Sequence, residues 1–294
     1  MACPNPPPLD RAARAAPPHL WFAVSAVFHY LGPAFAVLLF PALGVLGVAW
    51  LRVASAAAIF GPITRPDRIW ARADRSARRR LLALGATLAA MNAAFYLALE
   101  RLPMSLVAAM EFLAVLGLAL HGARTGRNLA ALALAAAGTA ALLRPEWAAD
   151  PVGLAWSAAN ALLFAAYVAL GHRAARDGAD EGVGRLGAAM LVAALALAPF
   201  GALEAAAAVA SPALLAAGVG VGLCSSVIPY VCDQIAMSRL PRATFALMLA
   251  ALPAMAAAIG ALVLAQWPSG RDLAGIGLVM AGIALHQPPR EPAL

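Results

Sequence analysis

The 294-residue chain contains no lysine and only three cysteines, and charged residues make up just 12% of it. The absence of lysine beside 21 arginines, in a chain where alanine is the commonest residue, reads as genomic base composition rather than chemistry. Cys3, Cys224 and Cys232 are too few and too irregularly spaced for a disulfide framework or a metal site. The last two lie in an apolar run and fit as small packing residues. There is no His-Glu-x-x-His motif, and the five histidines fall mostly in loops or tails. Gly218, Gly220 and Gly222 lack the following lysine and the strand-to-helix setting of a phosphate loop. No catalytic residue, metal or cofactor is expected. The net charge of +7 lacks the aromatic-interleaved basic patches of a nucleic-acid binder, so no nucleic-acid partner is expected.

What the chain has instead is apolar length. Hydrophobic residues make up 63% of it, and the mean hydropathy is +0.82. Ten apolar stretches stand out, at approximately 20–39, 43–61, 81–99, 104–121, 128–143, 151–170, 185–203, 212–232, 242–264 and 272–286. Runs approaching 20 residues span a bilayer as helices. An all-α membrane protein of ten transmembrane helices follows, with the lipid bilayer as its surroundings. Residues 1–18, rich in proline and alanine, read as a disordered tail, and the first apolar run reads as a retained helix rather than a signal peptide.

Arginine placement sets the expected orientation. Seven arginines lie in the 62–80 loop, and seventeen in all fall on that side, whereas only Arg101, Arg144 and Arg271 fall on the other. Basic loops favour the cytoplasm, which puts both termini inside. The chain also repeats: Arg101-Leu102-Pro103 precedes the fourth apolar stretch and Arg239-Leu240-Pro241 the ninth, 138 residues apart. Two five-helix units, 19–146 and 147–287, with a short tail at 288–294, would be inverted relative to one another. That architecture is common in secondary transporters, whose sites lie between the halves near the midplane.

A few polar groups interrupt the apolar runs. Arg52 is the only fully charged side chain between Leu20 and Pro62, and a cation at that depth costs at least about 2.5 kcal/mol. It can hold a substrate carboxylate through a bidentate fork, or it can form an internal ion pair or cap the carbonyls of a broken helix. Glu111 can be the partner of Arg52, a ligand for a substrate amine, a proton carrier, or a register-fixing buried charge. Asn92 and Tyr96, four apart, share a helix face that can line a cavity or pack. Trp156, Asn160 and Tyr167 form a rough stripe on the sixth stretch. Tyr230 follows Pro229, which removes a backbone donor and can free a carbonyl. Asp233 offers a cavity charge or an interfacial partner for Arg239 or Arg242. His29 is a further candidate proton carrier, and Glu100 and Glu204 read as caps of helix ends.

Met91-Asn92 with Phe95-Tyr96-Leu97, Pro103, Glu111-Phe112, Pro229-Tyr230, Asp233, Arg239-Leu240-Pro241, Thr244-Phe245 and Pro253 occur in an order and spacing that resembles the drug/metabolite transporter superfamily. Leu51-Arg52 and Ala166-Tyr167, with Gly171 and Arg173, match as well, and the similarity runs over most of residues 20–286. Within the superfamily the chain is similar to the EamA-type ten-helix exporters, the threonine/homoserine exporters above all. The resemblance implies a secondary transporter that exports small metabolites, amino acids being the leading class, across the inner membrane. It implies a small-molecule substrate and possible proton coupling. The sequence departs from the exporter pattern at Val37, Val115, Leu252-Pro253 and Ala265-Gln266, where several charged positions have become neutral. A membrane-embedded enzyme or a scaffold is the alternative class. The first needs a nucleophile with a base or a metal cluster, and the second has no use for charges inside apolar helices.

Overall fold

The computed structural model describes residues 16–122, 125–143, 150–175, 179–239, 248 and 251–286. Among the described residues all regular structure is helical. In hydrocarbon every backbone donor and acceptor needs an internal partner, and a helix supplies these within one segment. The order is α1 (Pro18–Leu43), α2 (Val45–Thr64), α3 (Pro66–Arg72), α4 (Arg75–Leu99), α5 (Met104–Gly122), α6 (Gly126–Leu142), α7 (Pro151–Ala175), α8 (Ala179–Gly201), α9 (Ala206–Ala210), α10 (Pro212–Gly222), α11 (Ile228–Arg239), α12 (Leu252–Leu264) and α13 (Gly270–Leu285). A single π-helical turn, Leu223–Val227, joins α10 to α11. Among the described residues five segments are long and apolar enough to cross a membrane: Pro18–Leu43, Val45–Thr64, Arg75–Leu99, Gly184–Gly201 and Pro212–Asp233. Met104–Ala114, Pro151–Tyr167 and Leu252–Leu264 are shorter apolar stretches.

Two features differ from the hydropathy reading. The basic 62–80 loop contains the short helix α3, started by Pro66 at a position where a missing N–H costs nothing. Helix α4 starts six residues before the apolar run, because the Asp74 carboxylate accepts from the Ala77 N–H at 2.6 Å and arginine is a good helix former. The expected N-terminal tail lies outside the described residues apart from its last few positions, with α1 beginning at Pro18, and the C-terminal tail also lies outside them.

Other helix ends are closed by side chains from distant segments. Gly44, at φ 67°, is the sole residue between α1 and α2. The Glu204 carboxylate lies against it and accepts from the Gly47 N–H at 2.8 Å. Glu204 therefore caps the start of α2, not its own helix. Gln266 acts likewise on α5, accepting from the Met104 N–H at 3.1 Å. At α13 the Ser269 and Asp272 side chains form a reciprocal capping box.

The long helices pack in a pattern that survives exchange of the first five (α1, α2, α4, α5, α6) with α7, α8, α10–α11, α12 and α13. Helix α2 lies on α8, α5 on α12 and α6 on α13. The α4–α7 contact is matched by α11–α1, and α5–α7 by α12–α1. The largest core cluster includes Tyr30, Tyr96, Met104, Val107 and Val279, and a second gathers Phe60, Leu84, Leu88, Met190 and Leu197. Large apolar side chains such as Leu162, Leu195 and Leu262 point outward, as suits a lipid-facing surface.

The α6–α13 contact is the most extensive in the molecule and depends on small residues. A Cβ on Gly275 would sit 2.8 Å from the Gly138 carbonyl oxygen, and one on Gly282 would sit 2.6 Å from that of Ala131. Without a hydrophobic force between helices in lipid, such backbone proximity supplies the packing. Gly277, on the same helix, faces open space. Gly275→Val should therefore destabilise the protein by about 1–3 kcal/mol, the usual overpacking cost. Gly277→Val should leave the melting temperature in detergent unchanged. Equal melting of the two variants would contradict this account of the interface.

Candidate functional site

The central feature is a break in the helix that runs from α10 to α11. In an unbroken α-helix the Ser225 carbonyl would accept from the N–H of residue 229. That residue is proline, which has no N–H and crowds the carbonyl four residues back. The π-helical turn sits just ahead of it, and Ser225 and Ser226 are both buried. From α2, Arg52 Nη2 donates to the Ser225 carbonyl at 3.2 Å. Arg52 Nε donates to Ser226 Oγ at 3.3 Å, and Nη1 makes a long 3.5 Å contact to the Tyr96 hydroxyl on α4. The guanidinium carbon lies 5.5 Å from the centroid of the Tyr96 ring, within cation–π range. Of the two classes of role open to Arg52 in the sequence, this geometry occupies the carbonyl-capping one.

Glycines permit the approach. A Cβ on Gly222 would collide with Ser55 Oγ and come 2.7 Å from the Arg52 carbonyl oxygen. A Cβ on Gly32, in α1, would collide with Ser225. Gly218 lies against Leu51, whereas Gly220 has nothing near it. Close packing thus accounts for two of the three glycines at 218–222.

Glu111 lies on α5 and is 7% exposed. It accepts a 2.7 Å hydrogen bond from Asn160 Nδ2 on α7, and Asn160 is completely buried. Arg52 and Glu111 each lie seven residues, about 10 Å, into their helices. The two are not an ion pair. Among the described residues the one salt bridge is Arg101–Asp150, at 3.4 Å on the surface. Asp150 caps the start of α7. The Gly153 N–H, helped by Arg101, holds its carboxyl below the usual range.

The remaining sequence candidates fall around these two centres. Tyr96 is fully buried and Asn92 nearly so, one turn apart on α4. Asn92 Nδ2 donates back to the Leu88 carbonyl at 2.8 Å, while its Oδ1 has no partner. Tyr167 and Tyr230 both pack against the second core cluster, with Phe164 and Val227. The Ser25 hydroxyl on α1 donates to the Pro229 carbonyl at 3.3 Å, one turn before Asp233 on α11. Arg242, one interfacial partner considered for Asp233, lies outside the described residues. His29 is half-buried and meets Tyr30 edge-on at 5.3 Å. The stripe on α7 divides, since Trp156 is 39% exposed while Asn160 is buried.

Sequence reasoning missed Ser225, Ser226, Ser25 and Tyr30. The two consecutive serines just ahead of Pro229 were a readable signal, because proline frees the carbonyl four positions back. Tyr30 carried no such signal. Its hydroxyl is buried without a hydrogen-bond partner, as is Asn160 Oδ1. Buried polar atoms are nearly always paired, so these two stand out within an otherwise packed core.

The EamA-like transporter family model matches residues 151–286. The threonine/homoserine exporter RhtA of Escherichia coli (strain K12) is 32% identical over 253 residues, 85% of this chain and 84% of its own. RhtA of Salmonella typhimurium (strain LT2) is 31% identical over the same lengths. A crystal structure covering 91% of this chain and 96% of its own aligns with a TM-score of 0.55 at 19% identity, a likeness of fold. With similarity at this level along most of its length, the chain belongs to the EamA-like transporters of the drug/metabolite transporter superfamily.

Proposed function

We propose that the protein exports small metabolites of the amino-acid class across the inner membrane by alternating access, coupled to protons. One observation carries this reading: a guanidinium and a carboxyl group lie buried at similar depth without bonding to each other. An amino acid presents the complementary pair. Arg52 takes its carboxylate and Glu111, oriented by Asn160, its amine. Asn92, Tyr96, Tyr167 and Tyr230 complete the polar lining. Glu111 carries the coupling proton, with Asp233 and His29 as further acid–base groups on the path.

The scaffold in this reading is ten helices in two inverted five-helix halves, 19–146 and 147–287, with both termini cytoplasmic. The exchange-symmetric packing, the 138-residue repeat and the seventeen-to-three arginine bias support it. Cysteines introduced into 62–80 should react with a membrane-impermeant reagent only after cells are opened. Labelling from outside intact cells would reverse the orientation.

In sealed proteoliposomes the protein should catalyse counterflow of at least one amino acid, with threonine and homoserine, the substrates in the relatives' names, tested first. Arg52→Lys keeps the charge but loses the planar fork, so exchange should fall roughly tenfold or more while the folded yield holds. Failure of every amino acid in a broad panel to exchange would refute the proposal. Glu111→Gln should raise the half-saturating concentration for counterflow, through loss of the amine's charged partner, and lose acceleration by a pH gradient. If gradient-driven uptake in that variant matches the parent protein, the coupling acid is not Glu111.

A further inference from the structure

The Arg52 fork is already occupied by oxygens of the chain itself. Nε and Nη2 form the guanidinium edge whose two N–H bonds point the same way, the geometry that matches the two oxygens of a carboxylate. Here that edge holds Ser226 Oγ at 3.3 Å and the Ser225 carbonyl at 3.2 Å. Pro229 offers the Ser225 carbonyl no N–H from four residues on, and the carbonyl faces Arg52. We infer that Ser225, Ser226 and Pro229 determine specificity by forming a neutral internal stand-in for a carboxylate, which a substrate must displace from Arg52. The inference rests on Arg52 being the anion site of the transport reading above.

Two consequences follow from the chemistry of the stand-in. Both of its oxygens are uncharged, and hydrogen bonds to an ionised partner are roughly twice as strong as neutral ones. A carboxylate therefore displaces them, while a carboxamide or an alcohol offers Arg52 nothing better than it already has. Displacement also removes the Arg52 donor from the Ser225 carbonyl, whose i+4 position, Pro229, has no N–H to replace it. The turn that holds this carbonyl against Arg52 then loses the contact that fixes it. A ligand shifts a conformational equilibrium only through contacts that differ between the states. The exchange of partners at Arg52 is such a difference, and it links occupancy of the site to the shape of the α10–α11 helix. The close fit of Gly32 on Ser225 and of Gly222 on α2 passes any such change to α1 and α2.

The test compares Pro229→Ala, which returns an N–H donor to the Ser225 carbonyl, with Ser226→Ala, which removes the second oxygen. The readout is counterflow of whichever amino acid the parent protein exchanges, with its carboxamide as competitor. Both variants should lower the half-saturating concentration severalfold and make the carboxamide a better competitor. Pro229→Ala should also lower the maximal rate, because the turn is then held without Arg52. Unchanged half-saturation and an equally poor carboxamide in both variants, with the parent active and Arg52→Ala inactive, would overturn the inference and leave the transport reading standing. Should Pro229→Ala not assemble, Ser226→Ala decides by the same criteria. A melting-temperature cycle between Arg52→Ala and Ser226→Ala needs no transport. The double variant should lose less than the sum of the single losses. Strict additivity would overturn the inference, whatever the exchange data show.

Discussion

A cation inside hydrocarbon and a carbonyl that has lost its helical donor are each costly alone. In this protein they cancel. Pro229 offers the Ser225 carbonyl no N–H from four residues on, and Arg52 donates to it from α2. The rest of the bundle is arranged to let them meet. Gly222 and Gly32 admit the backbone on either side of the break, and Tyr96 closes the face of the guanidinium. The interaction spans both halves of the chain, since Arg52 and Ser225 are 173 residues apart. Neither stretch can satisfy its own polar defect without the other.

The same economy governs the helix ends. Glu204 and Gln266 come from later connections and accept from the first turns of α2 and α5, the helices that carry Arg52 and Glu111. Each cap fixes the start of a helix whose buried polar residue lies about two turns further on. Gln266 carries no charge, and its carboxamide oxygen suffices to accept from the Met104 N–H. Surface contacts repeat the arrangement, with Arg101 on Asp150 and Arg271 on the Leu143 carbonyl at one end of the bundle, and Arg127 on the Leu285 carbonyl at the other.

Around Arg52 and Glu111 the interior stays polar without becoming a closed network. Tyr30, Asn92 and Asn160 each keep a buried oxygen without a partner. Glu111 has one side-chain donor, from Asn160, and no cation within ion-pair distance among the described residues. A bundle built for stability alone would replace such groups with apolar ones of similar volume, often with a gain. Keeping them is consistent with a site that binds something with donors and charges of its own.

The sequence by itself determined that the chain crosses a membrane in helices, because apolar length and the need to satisfy backbone groups in lipid leave little else. It also marked Arg52 and Glu111 as residues needing a reason, since charge inside an apolar run is visible residue by residue. Where α4 begins, and that α3 exists, were not legible, because those turns are held by caps and arginine propensity rather than by hydropathy. Only the tertiary structure decided what Arg52 touches. Its partners lie on α4 and at the break between α10 and α11, and which of several hydrogen-bonding groups meets a guanidinium depends on helix rotation and on approaches of an ångström or less. One-dimensional spacing carries no record of that register. It fixed that Pro229 frees a carbonyl, and the fold chose the arginine that answers it.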